Sequence, residues 1–246
     1  MRKAMAIVLA HRGASRAARE NTLDAFRAAR ALGADGVELD VRRSADSTLV
    51  VHHDPLLPDG RPVAGLPMAE MPPWVPAWTP PSRSARAWWS TWRSRTCPRR
   101  WGSTPKAAAR EVVALLVRRA GRDKVVVASF SLATLEAVRA AESSVPTAWV
   151  TPGAFDQHQA LALAADRGCA ALQPRHEAVT VELVEAAHDR GMTVYAWTVD
   201  DAERVRWLAG TGVDGVITNV PDVALDALGR PVLRRARPGP GSRAGG

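Results

Sequence analysis

Short apolar runs alternate with amphipathic stretches along most of this chain, and that alternation limits the folds open to it. Strands are expected at 5–10, 36–41, 124–130, 146–150, 169–172, 192–198 and 213–218, and helices at about 21–33, 107–120, 131–142, 155–167, 178–190 and 201–210. Val112, Val113, Leu115, Leu116 and Val117 lie among Ala and Arg, as a buried helix face would. Gly33, Gly121, Gly168, Gly191 and Gly210 stand where helix C-caps belong. Apolar strands joined by helices give a parallel sheet with helices outside. Seven such strands are readable, and an eighth would close an α/β (β/α)8 TIM barrel, whose sites lie at the C-terminal ends of the strands. The run 48–53 follows strand 36–41 too closely for a crossover helix and reads as an extra hairpin strand. Residues 1–228 are expected to form one barrel domain. Pro, Gly, Arg and Ser dominate from about Arg230, so 229–246 reads as a disordered tail.

No apolar run approaches the length of a membrane span, and no stable membrane insertion is expected. Met5 to Ala10 follows Arg2 and Lys3, but it is too short for a signal peptide and reads as the first strand, which implies a cytoplasmic protein. Cys97 and Cys169 give neither a disulfide framework nor zinc spacing. The net charge of +8 suggests nucleic acid as a partner, but its distribution argues against one. Residues 71–110 contain no Asp or Glu and hold Arg83, Arg86, Arg93, Arg95, Arg99, Arg100, Lys106 and Arg110, so the excess belongs to one stretch.

The first 55 residues carry ionisable groups that packing does not call for: His11-Arg12-Gly13, Glu20-Asn21-Thr22, Glu38-Leu39-Asp40 and His53-Asp54-Pro55. Each follows or ends an apolar run. Glu38 and Asp40 project from the same strand face, because strand side chains alternate with period two. Two carboxylates and two histidines converging at strand ends suit a metal-assisted acid–base site.

These residues resemble the glycerophosphodiester phosphodiesterase family. The resemblance rests on Ala10-His11-Arg12-Gly13, Glu20-Asn21-Thr22, Glu38-Leu39-Asp40-Val41 and Val51-His52-His53-Asp54. It extends to Tyr195-Ala196-Trp197-Thr198-Val199 and Gly212 to Asn219. It covers roughly 5–70 and 107–225, and the ordered set is far more specific than any one tripeptide. It implies a (β/α)8 barrel that hydrolyses small-molecule glycerophosphodiesters to an alcohol and glycerol 3-phosphate with a divalent cation. His11 and His53 would be the catalytic acid–base pair, His53 being preferred to His52 because it precedes Asp-Pro. Glu38 and Asp40 would hold the metal, and Arg12 the phosphate. Glu20, Asn21 and Trp197 would belong to the substrate site. The chemistry agrees. A cation and an Arg offset charge on the phosphodiester, one histidine takes a proton and the other gives one, and carboxylate oxygens suit Mg²⁺ or Ca²⁺.

Asn21 also fits a helix N-cap, and Trp197 fits a core position as well as a substrate wall. His158, His176 and His188 read as structural or surface groups, and Asp214-Gly215 as shaping the last strand and its turn. The rival functions are another phosphodiesterase on the same architecture and a non-catalytic phosphate-binding pseudoenzyme. A basic nucleic-acid binder rests only on Arg83 to Arg110.

One window breaks the pattern. The family resemblance calls for a Glu-x-Lys on a strand between the His-Asp motif and about residue 124, and none is present. Residues 77–106 instead hold Trp78, Trp88, Trp89, Trp92 and Trp101 among Ser, Arg, Thr and Pro, with neither helical nor strand periodicity. A one-base frame shift accounts for this. One synonymous-codon choice for Trp78 to Pro98, read one base earlier, gives Leu-Asp-Ala-Ala-Leu-Glu-Val-Cys-Ala-Gly-Leu-Val-Val-Asn-Val-Glu-Ile-Lys-Asn-Leu-Pro. That peptide has a helix, a Gly stop, a strand and the missing Glu-x-Lys. If the shift is a sequencing error, the natural enzyme is intact and active; if it is real, the chain is expected to lack one ligand, to have one barrel strand disrupted and to be impaired.

Overall fold

The computed structural model describes residues 5–79, 90–94, 112–114 and 125–233. Among the described residues nine strands are present: β1 (Ile7–His11), β2 (Gly36–Arg43), β3 (Leu49–Val51), β4 (Ser90–Ser94), β5 (Val125–Ser129), β6 (Thr147–Thr151), β7 (Ala171–Pro174), β8 (Thr193–Ala196) and β9 (Gly215–Thr218). Helices α1 (Leu23–Leu32), α2 (Leu132–Ala141), α3 (Gln157–Asp166), α4 (Val181–His188), α5 (Ala202–Thr211) and α6 (Pro221–Ala227) alternate with them. The parallel order runs β1-β9-β8-β7-β6-β5-β4-β2, and β2 pairs back with β1. The ring is therefore closed by eight parallel strands, and β3 is an antiparallel addition to β2. The strand expected to be disrupted is present: Ser90–Ser94 pairs with both β2 and β5.

Closure sorts the side chains into two cores. Outward residues such as Val8, Val37, Val127, Leu172 and Val194 pack against Leu135, Leu161, Leu183 and Leu208 of the helices. Inward residues Leu9, Val126, Ala128, Ala148, Val150, Ala171, Tyr195 and Ile217 fill the barrel. In an eight-stranded barrel of this kind, inward residues from alternate strands stack in layers of four. The registers put Glu38, Ala128, Gln173 and Ile217 in one layer, with Leu9, Ala148 and Tyr195 below it. His11, Val150 and Trp197 lie above it, and Asp40, Phe130, Arg175 and Asn219 continue the alternation at the mouth. Apolar layers thus give way to polar ones toward the C-terminal ends of the strands. Gly215 is fixed by packing, since a Cβ there would lie 2.7 Å from Ile7 Cγ1 and 2.8 Å from Tyr195 Cδ1.

A small lobe follows β3, with its own core of Val50, Leu57, Val63, Leu66, Met71 and Val75. Asp46 pins it, accepting hydrogen bonds from Ser44 Oγ, Thr48 N–H and Met68 N–H. These bonds hold the Asp46 carboxyl down at about 2.

Several boundaries differ from the sequence expectations. Strand 169–172 sits two residues later, which keeps its inward parity and carries Gln173 into the barrel. The helix expected at 201–210 ends on Gly212 (φ 98°), not Gly210, because Gly212 N–H reaches the last-turn carbonyls. Helix α6 has no counterpart among the sequence expectations; Pro221 at its start, with φ preset for a helix, is the available signal. Arg230 forms a paired contact with Asp35, and Leu233 N–H donates to Leu32 O. The rest of the expected tail, most of helix 107–120, Gly121 and Cys97 lie outside the described residues. No helix among the described residues is long and apolar enough to cross a membrane.

Candidate active site

His11 is the last residue of β1, and Glu38 stands beside it in register on β2. Glu38 Oε2 lies 3.8 Å from His11 Nε2 and accepts the Arg12 main-chain N–H at 3.3 Å. Both carboxylates are buried, Glu38 at 0% and Asp40 at 2% exposure. Desolvating two like charges two residues apart is costly unless partners are built around them. Arg12 Nε approaches Asp40 Oδ2 to 3.2 Å, and Asn21 Nδ2 donates to the same oxygen at 3.1 Å. Asp40 N–H returns a bond to Asn21 Oδ1 at 3.2 Å.

The turn after β1 makes this possible. Arg12 and Gly13 have φ of 57° and 84°. A Cβ on Gly13 would stand 2.6 Å from Ala25 Cβ, so glycine lets the turn rest against α1. Asn21 (φ 57°) ends the loop in a side-chain clasp with Asp40. It is not the N-cap: Thr22 takes that role, accepting the Ala25 N–H. Arg12 Nη1 also donates to the half-exposed Glu20 at 2.8 Å. The residue expected to hold phosphate is thus suspended between two carboxylates.

His52 and His53 leave β3 beside the same rim, where His52 N–H donates to Asp40 O. The two rings part there. His52 packs on Trp74 at 5.6 Å with its Nε2 on Leu56 O, and burial lowers its pKa. His53 places Nδ1 2.7 Å from Asp54 Oδ1, and its carbonyl accepts from Arg42. Trp197 stands in the His11 layer, its Nε1–H on Gln173 O and its ring edge-on to Phe130 at 5.7 Å. His188 pairs with Asp214, and His176, whose ring neighbours Glu177, donates its main-chain N–H to Trp197 O.

Two residues escape a sequence reading of roles. Asn219, at the end of β9, has Oδ1 2.8 Å from His11 Nδ1. Asp200 accepts both the Nδ2–H and the main-chain N–H of Asn219 at 2.8 Å. The available signal is a polar residue directly after the last apolar strand, where this fold puts its chemistry.

The model of the "Glycerophosphoryl diester phosphodiesterase family" matches residues 11–80 and 95–223. It breaks off only over 81–94, inside the tryptophan-rich window. A Mycobacterium tuberculosis protein named "Probable glycerophosphodiester phosphodiesterase 1" is 31% identical over 249 residues, covering 87% of this chain and 89% of its own. An Oleispira antarctica phosphodiesterase, solved with its product sn-glycerol 3-phosphate, superposes with a TM-score of 0.79 at 22% identity, covering 92% of this chain and 97% of that one. A Thermotoga maritima glycerophosphodiester phosphodiesterase gives 0.73 at 22%, covering 91% and 98%. The barrel, the rim carboxylates and a family match on both flanks of the anomalous window converge, and the chain belongs to the glycerophosphoryl diester phosphodiesterase family.

Proposed function

We propose that this protein hydrolyses glycerophosphodiesters to an alcohol and sn-glycerol 3-phosphate by histidine acid–base catalysis. The observation that carries the reading is the His11–Glu38–Asp40 cluster at the C-terminal rim of the barrel, braced by Asn219. Asn219 Nδ2 is committed to Asp200, so its Oδ1 faces His11 and accepts the Nδ1–H. That tautomer makes Nε2 the basic nitrogen. His11 then takes the proton of the attacking hydroxyl, a water or the substrate's own glycerol hydroxyl. The new P–O bond forms as the bond to the leaving alcohol breaks, and His53 returns a proton to the departing alkoxide; where the glycerol hydroxyl attacks, water then opens the cyclic phosphate to glycerol 3-phosphate. Arg12, held between Asp40 and Glu20, is the group that would bind the phosphate oxygens.

Among the described residues no three His, Cys, Asp or Glu side chains gather as a ready cation site. Glu38 and Asp40 are buried carboxylates at neighbouring inward positions of β2, and that donor set fits Mg²⁺, which takes one or two carboxylates together with substrate phosphate oxygens. Glu38 and Asp40 would hold it; Ca²⁺ is the alternative. When bound, the cation would neutralise charge developing on the non-bridging oxygens.

The absence of a Glu-x-Lys favours a second reading, a pseudoenzyme that binds glycerol 3-phosphate without turnover. Release of choline from glycerophosphocholine, with and without EDTA, separates the two. EDTA-sensitive release supports the enzyme, whereas tight glycerol 3-phosphate binding with no release supports the pseudoenzyme. Faster turnover of intact phospholipids would point to another phosphodiesterase on the same barrel.

A further inference from the structure

Gln173 is wholly buried, at 0% exposure, and neither its Oε1 nor its Nε2 has a hydrogen-bond partner among the described residues. An amide left so is a cost to folding that leucine or methionine would not incur. It stands at an informative place. By register it shares a layer with Glu38, Ala128 and Ile217. Strands β2 and β7 are four apart in the ring of eight, so Gln173 and Glu38 face each other across the barrel. Ala128 and Ile217 offer it no polar group. The layer above holds His11 and Trp197, and Trp197 Nε1–H donates to the Gln173 main-chain oxygen, which fixes the strand there. The amide is therefore a polar floor beneath the reacting groups.

Its chemistry narrows the ligand. Phosphate oxygens only accept, so they would satisfy Nε2 and leave Oε1 bare. A cation would satisfy Oε1 and leave Nε2 bare. A hydroxyl both donates and accepts, and two adjacent hydroxyls answer both ends of one amide. The geometry points to Gln173 as the residue that binds the glycerol hydroxyls and so selects glycerol-bearing phosphodiesters. This rests on the phosphodiesterase reading above.

The test uses Gln173→Leu, with Gln173→Met as a second variant of similar length. Each is compared with the wild type on glycerophosphocholine and on bis(p-nitrophenyl) phosphate, which has a diester but no glycerol. The expected result is a loss of about tenfold or more in kcat/KM on glycerophosphocholine, carried mainly in KM. Turnover of the aryl diester should hold, and the Tm should be unchanged or higher. Calorimetry with glycerol 3-phosphate and inorganic phosphate should show a wild-type preference for the former that both variants lose. Equal losses on both substrates, or a lowered Tm in both variants, would assign Gln173 a structural role and overturn the inference. A wild type that cleaves neither substrate would sink the catalytic reading. The binding comparison would still decide Gln173, since a preference for glycerol 3-phosphate that survives both substitutions also overturns it.

Discussion

His11 and Asn219 meet at 2.8 Å across 208 residues of sequence, joining the first barrel strand to the last. Ser15 Oγ and Asp200 hold the amide from two further sides. A histidine held at Nδ1 by a neutral acceptor has one tautomer and one ring orientation. Asn219→Ala removes that constraint and is expected to lower kcat on the order of 10²-fold, the low end of what acid–base catalysis contributes. Asn219→Asp keeps the shape and adds a carboxylate, which favours the imidazolium. A base must be neutral to act, so the acidic limb of the kcat/KM profile should move to higher pH. An unmoved limb in Asn219→Asp would argue that His11 is not the base.

The second expectation concerns Glu38. It is wholly buried, with Asp40 buried at the next inward position of the same strand. Such placement favours function over stability. Glu38→Gln keeps an acceptor for the Arg12 N–H and removes the charge. The Tm should rise, by about 2–4 °C for each kcal/mol gained in a domain of this size. Activity should fall on the order of 10²-fold, and what remains should no longer respond to EDTA. A variant that loses both stability and activity would mean that Glu38 serves the fold.

Gly13 ties the site to the helix layer. Its φ is 84°, and a side chain there would begin 2.6 Å from Ala25 Cβ, so the turn leaves no room for one. Gly13→Ala should destabilise by more than about 1 kcal/mol, the opposite sign to alanine at a compatible site. Because Arg12 and Asn21 hang on the same turn, the surviving folded protein should also have a raised KM. Denaturant titration with kinetics below the transition checks both.

How far these features are readable in sequence follows from how local their causes are. Val125–Ser129 is buried on both faces, and a continuous apolar run announces such a strand. The His11, Glu38 and Asp40 positions are legible because strand ends and period-two spacing are local. The partners of these residues are not. Nothing near Asn219 in sequence states that β9 returns beside β1, and only closure of the ring makes it a neighbour of His11. The Thr22 cap displaces Asn21 for the same reason, since Asp40 lies in the next strand and claims the amide. Gln173 is hidden by a two-residue difference in the strand boundary, because a polar residue placed beyond a strand end looks like loop.

His52 supplies a pH dependence. Burial is the main cause of its lowered pKa; Arg42 adds to it, and Asp54 and Asp40 oppose it. The unfolded chain takes this proton near 6.5, whereas the folded protein resists it. His52 therefore contributes stability that is full above about pH 6.5 and is lost as pH falls toward its lower folded value. His52→Phe keeps a ring against Trp74 and does not titrate. Its Tm should fall less than that of the wild type between about pH 7.5 and 5.5. Parallel curves would place the titration elsewhere, with His176, also lowered by burial, as the next group to replace.

The register of β4 and the frame-shifted reading of its codons meet at one position. Position 93 pairs with Asp40 on one side and Ala128 on the other. In the shifted frame the Glu of the Val-Glu-Ile-Lys peptide falls at position 93 and the Lys at 95. A third carboxylate would then occupy the register position beside Asp40, where a cation shared with Glu38 and Asp40 would gain its next oxygen ligand. A chain with the shifted frame restored over 78–98 should bind Mg²⁺ more tightly and cleave glycerophosphocholine on the order of 10²-fold faster. Both chains should keep a closed barrel, because β4 already pairs on both edges. Equal activity of the two would refute the role given to the Glu-x-Lys pair. A clean resequencing of codons 75–107 that returns the present protein would remove the frame error as its origin.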